Sequence, residues 1–351
     1  MIPLQIRGKT VGPGCPTYVI AEVSANHQGS YEQAVRIIEA AHEAGADAVK
    51  LQTYTPDTLT IKSDGPHFRI GEGTLWAGRT LYELYGEAFT PWDWQPRLKD
   101  VAEGLGLDLF STPFDFIAVE FLEKMQVPVW KIASFELVDL PLIERCAATG
   151  KPLIMSTGMA THEEIGEAVA AARRGGATQI ALLKCTSGYP AAPEEMNLRT
   201  IPDMVQAFDV PIGLSDHTLD LAVPVAAVAL GACIIEKHLT LHRADGGPDG
   251  AFSLEPAEFR AMVEQVRITE RALGGVNYEV SEKESASRIF RRSLFTVADV
   301  KAGEAFTAAN VRSIRPGNGL HTRHLAEVLT RKAACDVARG TPLSWDIISK
   351  A

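Results

Sequence analysis

Only five cysteines occur in the 351 residues, Cys15, Cys146, Cys185, Cys233 and Cys335, an odd number with no CxxC pair. This argues against a disulfide framework and against a thiolate zinc site, and it suits a reducing compartment. No basic-then-apolar stretch opens the chain, so no secretory signal is expected and the expected location is cytoplasmic. Long apolar runs are also missing. The longest, Leu221 to Ile235, has 15 residues and is interrupted by Pro224 and Gly231, too short to span a bilayer. Positive charge is scarce: 34 Lys and Arg face 44 Asp and Glu, a formal −10, which opposes nucleic acid or a membrane surface as a partner. No GxGxxG follows the first aliphatic segment, which weighs against an open doubly wound sheet, the alternative architecture.

What the chain does have is 46% hydrophobic residues and a regular alternation of short aliphatic runs with helical patterns. The runs are TYVIAEV (17–23), DAVKLQ (47–52), LDLFS (107–111), PVWKIAS (128–134), PLIMST (152–157), QIALLKC (179–185), VPIGLS (210–215) and ACIIEKH (232–238). Between them lie stretches such as 31–46 and 161–177, the second opening on Thr161 with Glu164 three residues later, a capping-box pattern. Eight such units predict an α/β fold, a (β/α)8 TIM barrel over 1–273. After about Gly274 the alternation stops. A linker over 274–292 and a small domain of short strands and turns over 293–351 are expected. Residues 274–351 hold 12 Lys and Arg against 8 Asp and Glu, a net +4 that leaves −14 for residues 1–273.

In such a barrel the reacting groups sit at the C-terminal strand ends. Polar residues stand at all eight: Glu22; Lys50 and Gln52; Ser111 and Thr112; Lys131, Ser134 and Glu136; Ser156 and Thr157; Lys184, then Thr186, Ser187 and Tyr189; Ser215, Asp216 and His217; and Glu236 and His238. Two lysines converging with hydroxyls form a cradle for phosphate or carboxylate. A Schiff-base lysine is the competing chemistry and needs a neutral amine. His217 and His238 end neighbouring strands and could share a divalent ion, with Glu236 as a third ligand or an orienting neighbour. Their plainer role is as hydrogen-bonded core residues. Residues 53–91 form an overlong connection rich in aromatics, expected to shape a substrate site.

The ordered set IAEVSANHQGS (20–30), AVKLQTY (48–54), FSTPFD (110–115), KIASFEL (131–137), STGMA (156–160), KCTSGYPA (184–191), GLSDHT (213–218), EKHLTL (236–241) and SIRPGNGL (313–320) resembles the sialic acid synthase family over nearly the whole chain. The stretches 75–92 and 182–191 are similar to its pseudaminic acid branch rather than its neuraminate or legionaminate branches. The resemblance implies a barrel with a C-terminal antifreeze-like (SAF) domain. It implies condensation of phosphoenolpyruvate with an N-acetylated amino sugar and a divalent metal cofactor, Mn2+ with Mg2+ or Co2+ as alternatives. It further implies phosphoenolpyruvate contacts from Lys50, Lys131, Ser134, Ser156, Ser187 and Ser215, and metal ligation by His217 and His238. Glu22 would stand near the reacting carbon, and Glu136, Tyr189 and Asp249 on the sugar. Arg315 would come from the SAF domain of the partner in a domain-swapped homodimer. A Schiff-base aldolase and a non-enzymatic glycan-binding protein are the readings from other classes.

Overall fold

The structure, a computed structural model, describes residues 1–350; Ala351, the last residue of the expected tail domain, lies outside the described residues. All eight aliphatic runs form strands of one closed parallel barrel: β1 (Tyr18–Glu22), β2 (Ala48–Thr53), β3 (Asp108–Pro113), β4 (Trp130–Ile132), β5 (Leu153–Ser156), β6 (Ile180–Cys185), β7 (Ile212–Asp216) and β8 (Ile234–His238). Each strand pairs with its sequence neighbours, and β8 closes on β1 with His238 opposite Glu22. The fold is a TIM barrel.

Local chemistry starts and stops the surrounding helices. Ser30 accepts from the Gln33 amide at the head of the helix Tyr31–Glu43, which buries Ala34, Ile37, Ile38 and Ala41 at helical spacing against the strands. Thr161 and Glu164 cap the helix His162–Arg174 reciprocally, as their spacing predicted. Inside the barrel, Gly213 permits a close approach that no other residue allows. A Cβ there would stand 2.6 Å from the Cβ and the carbonyl oxygen of Ile234 and from Leu183 Cδ2.

One element escaped the sequence pattern, a hairpin of Leu4–Ile6 and Lys9–Val11. Its strands have three residues each, too few to display a period. Leu4, Ile6 and Val11 join the barrel core, and Lys9 Nζ bonds Asp47 O at 3.2 Å and Asp108 at 3.1 Å, at the starts of β2 and β3. The hairpin therefore sits on the end of the barrel opposite the strand termini that carry the chemistry.

The chain divides into two compact units, residues 1–274 and the remainder from Gly275 onward. The segment expected to be a linker carries a short helix, Glu282–Ala286, and the Ile289 carbonyl accepts from the Gly317 amide at 2.9 Å, so this segment belongs with the second unit. That unit pairs β9 (Ser293–Thr296) with β10 (Val311–Ile314) antiparallel, around a core of Leu294, Val300, Phe306, Val311, Val337 and Leu343. No helix among the described residues is long and apolar enough to cross a membrane.

Candidate active site

Strand alternation decides which terminal side chains face the barrel mouth. A cavity of about 420 Å³ opens there, and twelve of the residues singled out from the sequence line it: Lys50, Gln52, Lys131, Ser134, Glu136, Ser156, Tyr189, Ser215, His217, Glu236, His238 and Asp249. Glu22 lies beside Lys50 with no exposed surface. Ser187 is held behind them, its hydroxyl buried without a partner. Arg315 lies in the second unit, just past β10.

The same alternation corrects several strand-end expectations. Lys184 turns out of the mouth to Cys185 O (2.9 Å) and Thr186 Oγ1 (2.8 Å), and Cys185 lines the cavity in its place. Ser111 pairs with Thr53 Oγ1 at 2.6 Å, leaving Thr112 to accept from Lys50. Asp216 forms a wholly buried ion pair with Lys237, on the opposite face from Ser215 and His217. Thr157 Oγ1 donates to Leu183 O, one strand away.

The floor of the site is a chain of buried charges. Glu22 meets Lys50 at 2.6 Å, Lys50 reaches Glu236 at 3.6 Å, and Glu236 lies 3.8 Å from Lys131, which donates to Ser156 Oγ at 2.6 Å and Ile132 O at 3.1 Å. Gln52 donates to Glu22 (3.2 Å) and to Ser24 (2.8 Å), and Ser215 donates to Glu236 (3.2 Å). Burial alone would neutralise each of these ions. Burial does dominate at Glu22, raising its carboxyl despite Lys50, and at Lys131, lowering its ammonium despite Glu236. At Lys50 the burial effect is outweighed by Glu22 and Glu236, which hold the ammonium above its usual range. At Glu236 it is outweighed by Lys131 and Lys50, which hold the carboxylate below its range. Glu236 turns Oε1 to the two lysines, while its Oε2 is buried without a hydrogen-bond partner.

Gly158, in the STGMA motif, brings backbone against this cradle. Its φ is +41°, and a Cβ there would fall 2.3 Å from Ser134 Cβ and 2.9 Å from Ser187 Oγ. Only glycine accommodates both the conformation and the approach.

The two histidines form one wall, ring centroids 5.4 Å apart. His217 Nδ1 lies 2.9 Å from Thr186 O, and a carbonyl can only accept, so Nδ1 donates there; burial disfavours the imidazolium, but Cys185 and the Thr186 carbonyl outweigh it and hold His217 above the usual imidazole range. Burial and the nearby cations His217 and Lys50 hold His238 well below the usual imidazole range, and its buried Nδ1 has no hydrogen-bond partner. His238, an imidazole held unprotonated with an orphaned ring nitrogen beside His217, fits a divalent ion. Among the described residues no group of three His, Cys, Asp or Glu side chains gathers around one point, so the protein would leave most of the coordination sphere to water and substrate.

Cys185 was not singled out as a site residue. Burial raises its thiol, but His217, Ser134 and Lys131 together bring it down to about 7. The KC pair at the end of β6 carried a signal, since one of two adjacent residues must face inward. Three aromatic residues of the long connection, Tyr54, Trp76 and Tyr85, line the cavity, and Trp76 Nε1 donates to Pro248 O at 3.0 Å. Tyr189 stacks on His217 at 4.5 Å and on Phe252 at 5.0 Å.

A barrel mouth with a floor of paired buried charges and hydroxyls beneath aromatic walls encloses a polar site where TIM-barrel enzymes carry theirs. Comparison with known proteins gives the class. The NeuB family matches residues 37–278, and the SAF domain matches 291–348. A pseudaminic acid synthase of Campylobacter jejuni is 45% identical over 93% of this chain and 95% of its own length. One of Helicobacter pylori is 43% identical over 96% and 99%. The crystal structure of an N-acetylneuraminic acid synthetase from Leptospira borgpetersenii in complex with citrate superposes with a TM-score of 0.71 at 30% identity, covering 81% of this chain and 94% of that one. The chain belongs to the NeuB family.

Glu136 offers a pH test of this site. Burial raises its carboxyl to about 7 from the ordinary 4.5, so folding takes up a proton in the window between those values. The stability contributed falls as pH rises through it. Glu136→Gln is expected to flatten the decline of the urea midpoint across that window, and an unchanged slope would contradict the assignment.

Proposed function

We propose that the chain acts as a pseudaminic acid synthase. It joins phosphoenolpyruvate to 2,4-diacetamido-2,4,6-trideoxy-altropyranose in the presence of water, releasing a nonulosonic acid and phosphate. The near-full-length identity to two pseudaminic acid synthases carries this reading, and the geometry of the mouth supports it. Lys50 and Lys131, with Ser134, Ser156, Ser187 and Ser215, hold the phosphate and carboxylate of phosphoenolpyruvate. Lys131 already donates to Ser156 and Ile132 O, an arrangement that suits an anion-binding ammonium better than a Schiff-base amine. Glu136, with Oε2 buried and unpartnered, and Asp249 and Tyr189 at the cavity wall receive the sugar.

His217 and His238 hold a divalent ion, Mn2+ being the first choice, which when bound supplies a Lewis acid for the sugar's aldehyde oxygen. Positioning by the cradle brings C3 of phosphoenolpyruvate to the aldehyde carbon. Bond formation there leaves positive charge at C2. Glu22, buried beside Lys50, stabilises that charge and takes a proton from the water that adds to C2. The hydrated carbon then expels phosphate by breaking its C–O bond.

Incubation with phosphoenolpyruvate, Mn2+ and a panel of N-acetylated sugars, read by product mass, tests the reading. The expected result is condensation with the 2,4-diacetamido sugar in preference to N-acetylmannosamine, abolished by chelator and restored by Mn2+. A preference for N-acetylmannosamine would overturn the sugar assignment, and full activity in chelator would overturn the metal's role.

The proposal extends to a homodimer in which one subunit's SAF domain lends Arg315 to its partner's barrel. Its support is the opposite net charges of residues 1–273 and 274–351. Chains carrying His238→Ala and Arg315→Ala, each inactive alone, are expected to recover roughly a quarter of wild-type activity on random mixing, because half the dimers then hold one intact pair. No recovery in verified mixed dimers would exclude the shared site.

A further inference from the structure

The outer half of the cavity has a chemistry that the anion cradle does not explain. Beyond Lys50 and Gln52, the next inward residue on the same stretch is Tyr54, which meets Tyr85 at 5.7 Å and Phe114 at 5.0 Å between ring centroids. Around this aromatic corner the wall is aliphatic. The connection after β2 folds into two short helices, Pro56–Leu59 and Leu81–Ala88, and presents Leu59, Ile70, Leu81, Leu84 and Ala88 to the cavity.

Polar groups are nearly absent from this face. Of the residues that the connection gives to the cavity after Tyr54, only Thr74, Trp76 and Tyr85 carry one, and the Trp76 N–H is already spent on Pro248 O. The fold holds the wall in place. Thr80 and Glu83 cap the second helix reciprocally, and the Ile70 amide donates to Arg79 O at 2.9 Å.

A hydroxyl placed against Leu59, Ile70, Leu81 and Leu84 gives up water and gains no partner from them, whereas a methyl group gains contact. We propose that the face formed by Leu59, Ile70, Leu81, Leu84 and Phe114 is a specificity surface for a deoxy, methyl-bearing sugar, seating its C6 methyl and one acetamido methyl. This inference rests on the reading of the reaction in the preceding subsection and adds which residues choose the sugar. The floor of buried charges binds what all members of the substrate class share. The aliphatic wall selects against sugars that carry a hydroxyl at C6.

The test compares kcat/KM for 2,4-diacetamido-2,4,6-trideoxy-altropyranose and for its 6-hydroxy analogue, with phosphoenolpyruvate saturating. The wild-type enzyme is expected to favour the deoxy sugar by about 10-fold to 100-fold, the range one apolar group commands in a fitted pocket. Leu81→Asn is expected to cut that preference about tenfold, chiefly through KM for the deoxy sugar. Ile70→Thr, which exchanges an ethyl group for a hydroxyl, should act in the same direction, and Leu81→Met should retain the preference. Circular dichroism and melting of each variant separate misfolding from altered selection, with Ile70→Thr as the milder probe should Leu81→Asn fail to fold. Equal kcat/KM for the two sugars in the wild type, or a preference untouched by both polar variants, would overturn the inference while leaving the reaction intact. Failure to condense either sugar would overturn the reaction reading and this inference with it.

Discussion

Four charges buried at one end of a barrel impose the constraint on which the rest of the site depends. Glu22, Lys50, Glu236 and Lys131 come from four strands, β1, β2, β8 and β4, and each is at most a few per cent exposed. An unpaired ion at such depth costs several kcal/mol, so every member must find its opposite in place as the barrel closes. Pairing of Glu22 with Lys50 in strand register, and of Glu236 with Ser215, supplies that arrangement. A one-residue slip would turn the charges toward the surrounding helices. The close contact at Gly213, where neither Ile234 nor Leu183 leaves space for a side chain, works against such a slip.

The charged floor also explains why the histidine wall looks as it does. Burial and the cations His217 and Lys50 disfavour a proton on His238, and the Thr186 carbonyl orients the ring of His217. Above them the connection after β2 replaces charge with aromatic and aliphatic surface. The cavity lining therefore combines an ionic part with an apolar one.

Much of this was legible in the sequence because two periodicities carry it. Eight aliphatic runs separated by amphipathic stretches specify the barrel, and every run became a barrel strand. Polar residues at strand ends named the mouth, and eleven of those residues line one cavity. Strand parity was harder to read at the last residue. Lys184 attracted notice by its charge, yet the small thiol of Cys185 faces inward, and Asp216 serves Lys237 rather than the site. Glu236 shares a face with His238, which suggested a ligand role; the lysines that face its Oε1, Lys50 and Lys131, lie on distant segments and only the folded barrel brings them near. The hairpin at Leu4–Ile6 and Lys9–Val11 was invisible because three-residue strands have no period to detect.

If the buried charge chain is the anion cradle, its cations must bind phosphoenolpyruvate before any sugar arrives. Calorimetric titration of phosphoenolpyruvate alone into the wild type and Lys131→Met measures this directly, with melting curves establishing that both are folded. Loss of a buried, hydrogen-bonded charge partner is worth about 2–5 kcal/mol, so the account predicts that Kd rises by roughly 30-fold or more. A folded Lys131→Met chain that binds phosphoenolpyruvate as tightly as the wild type would contradict it.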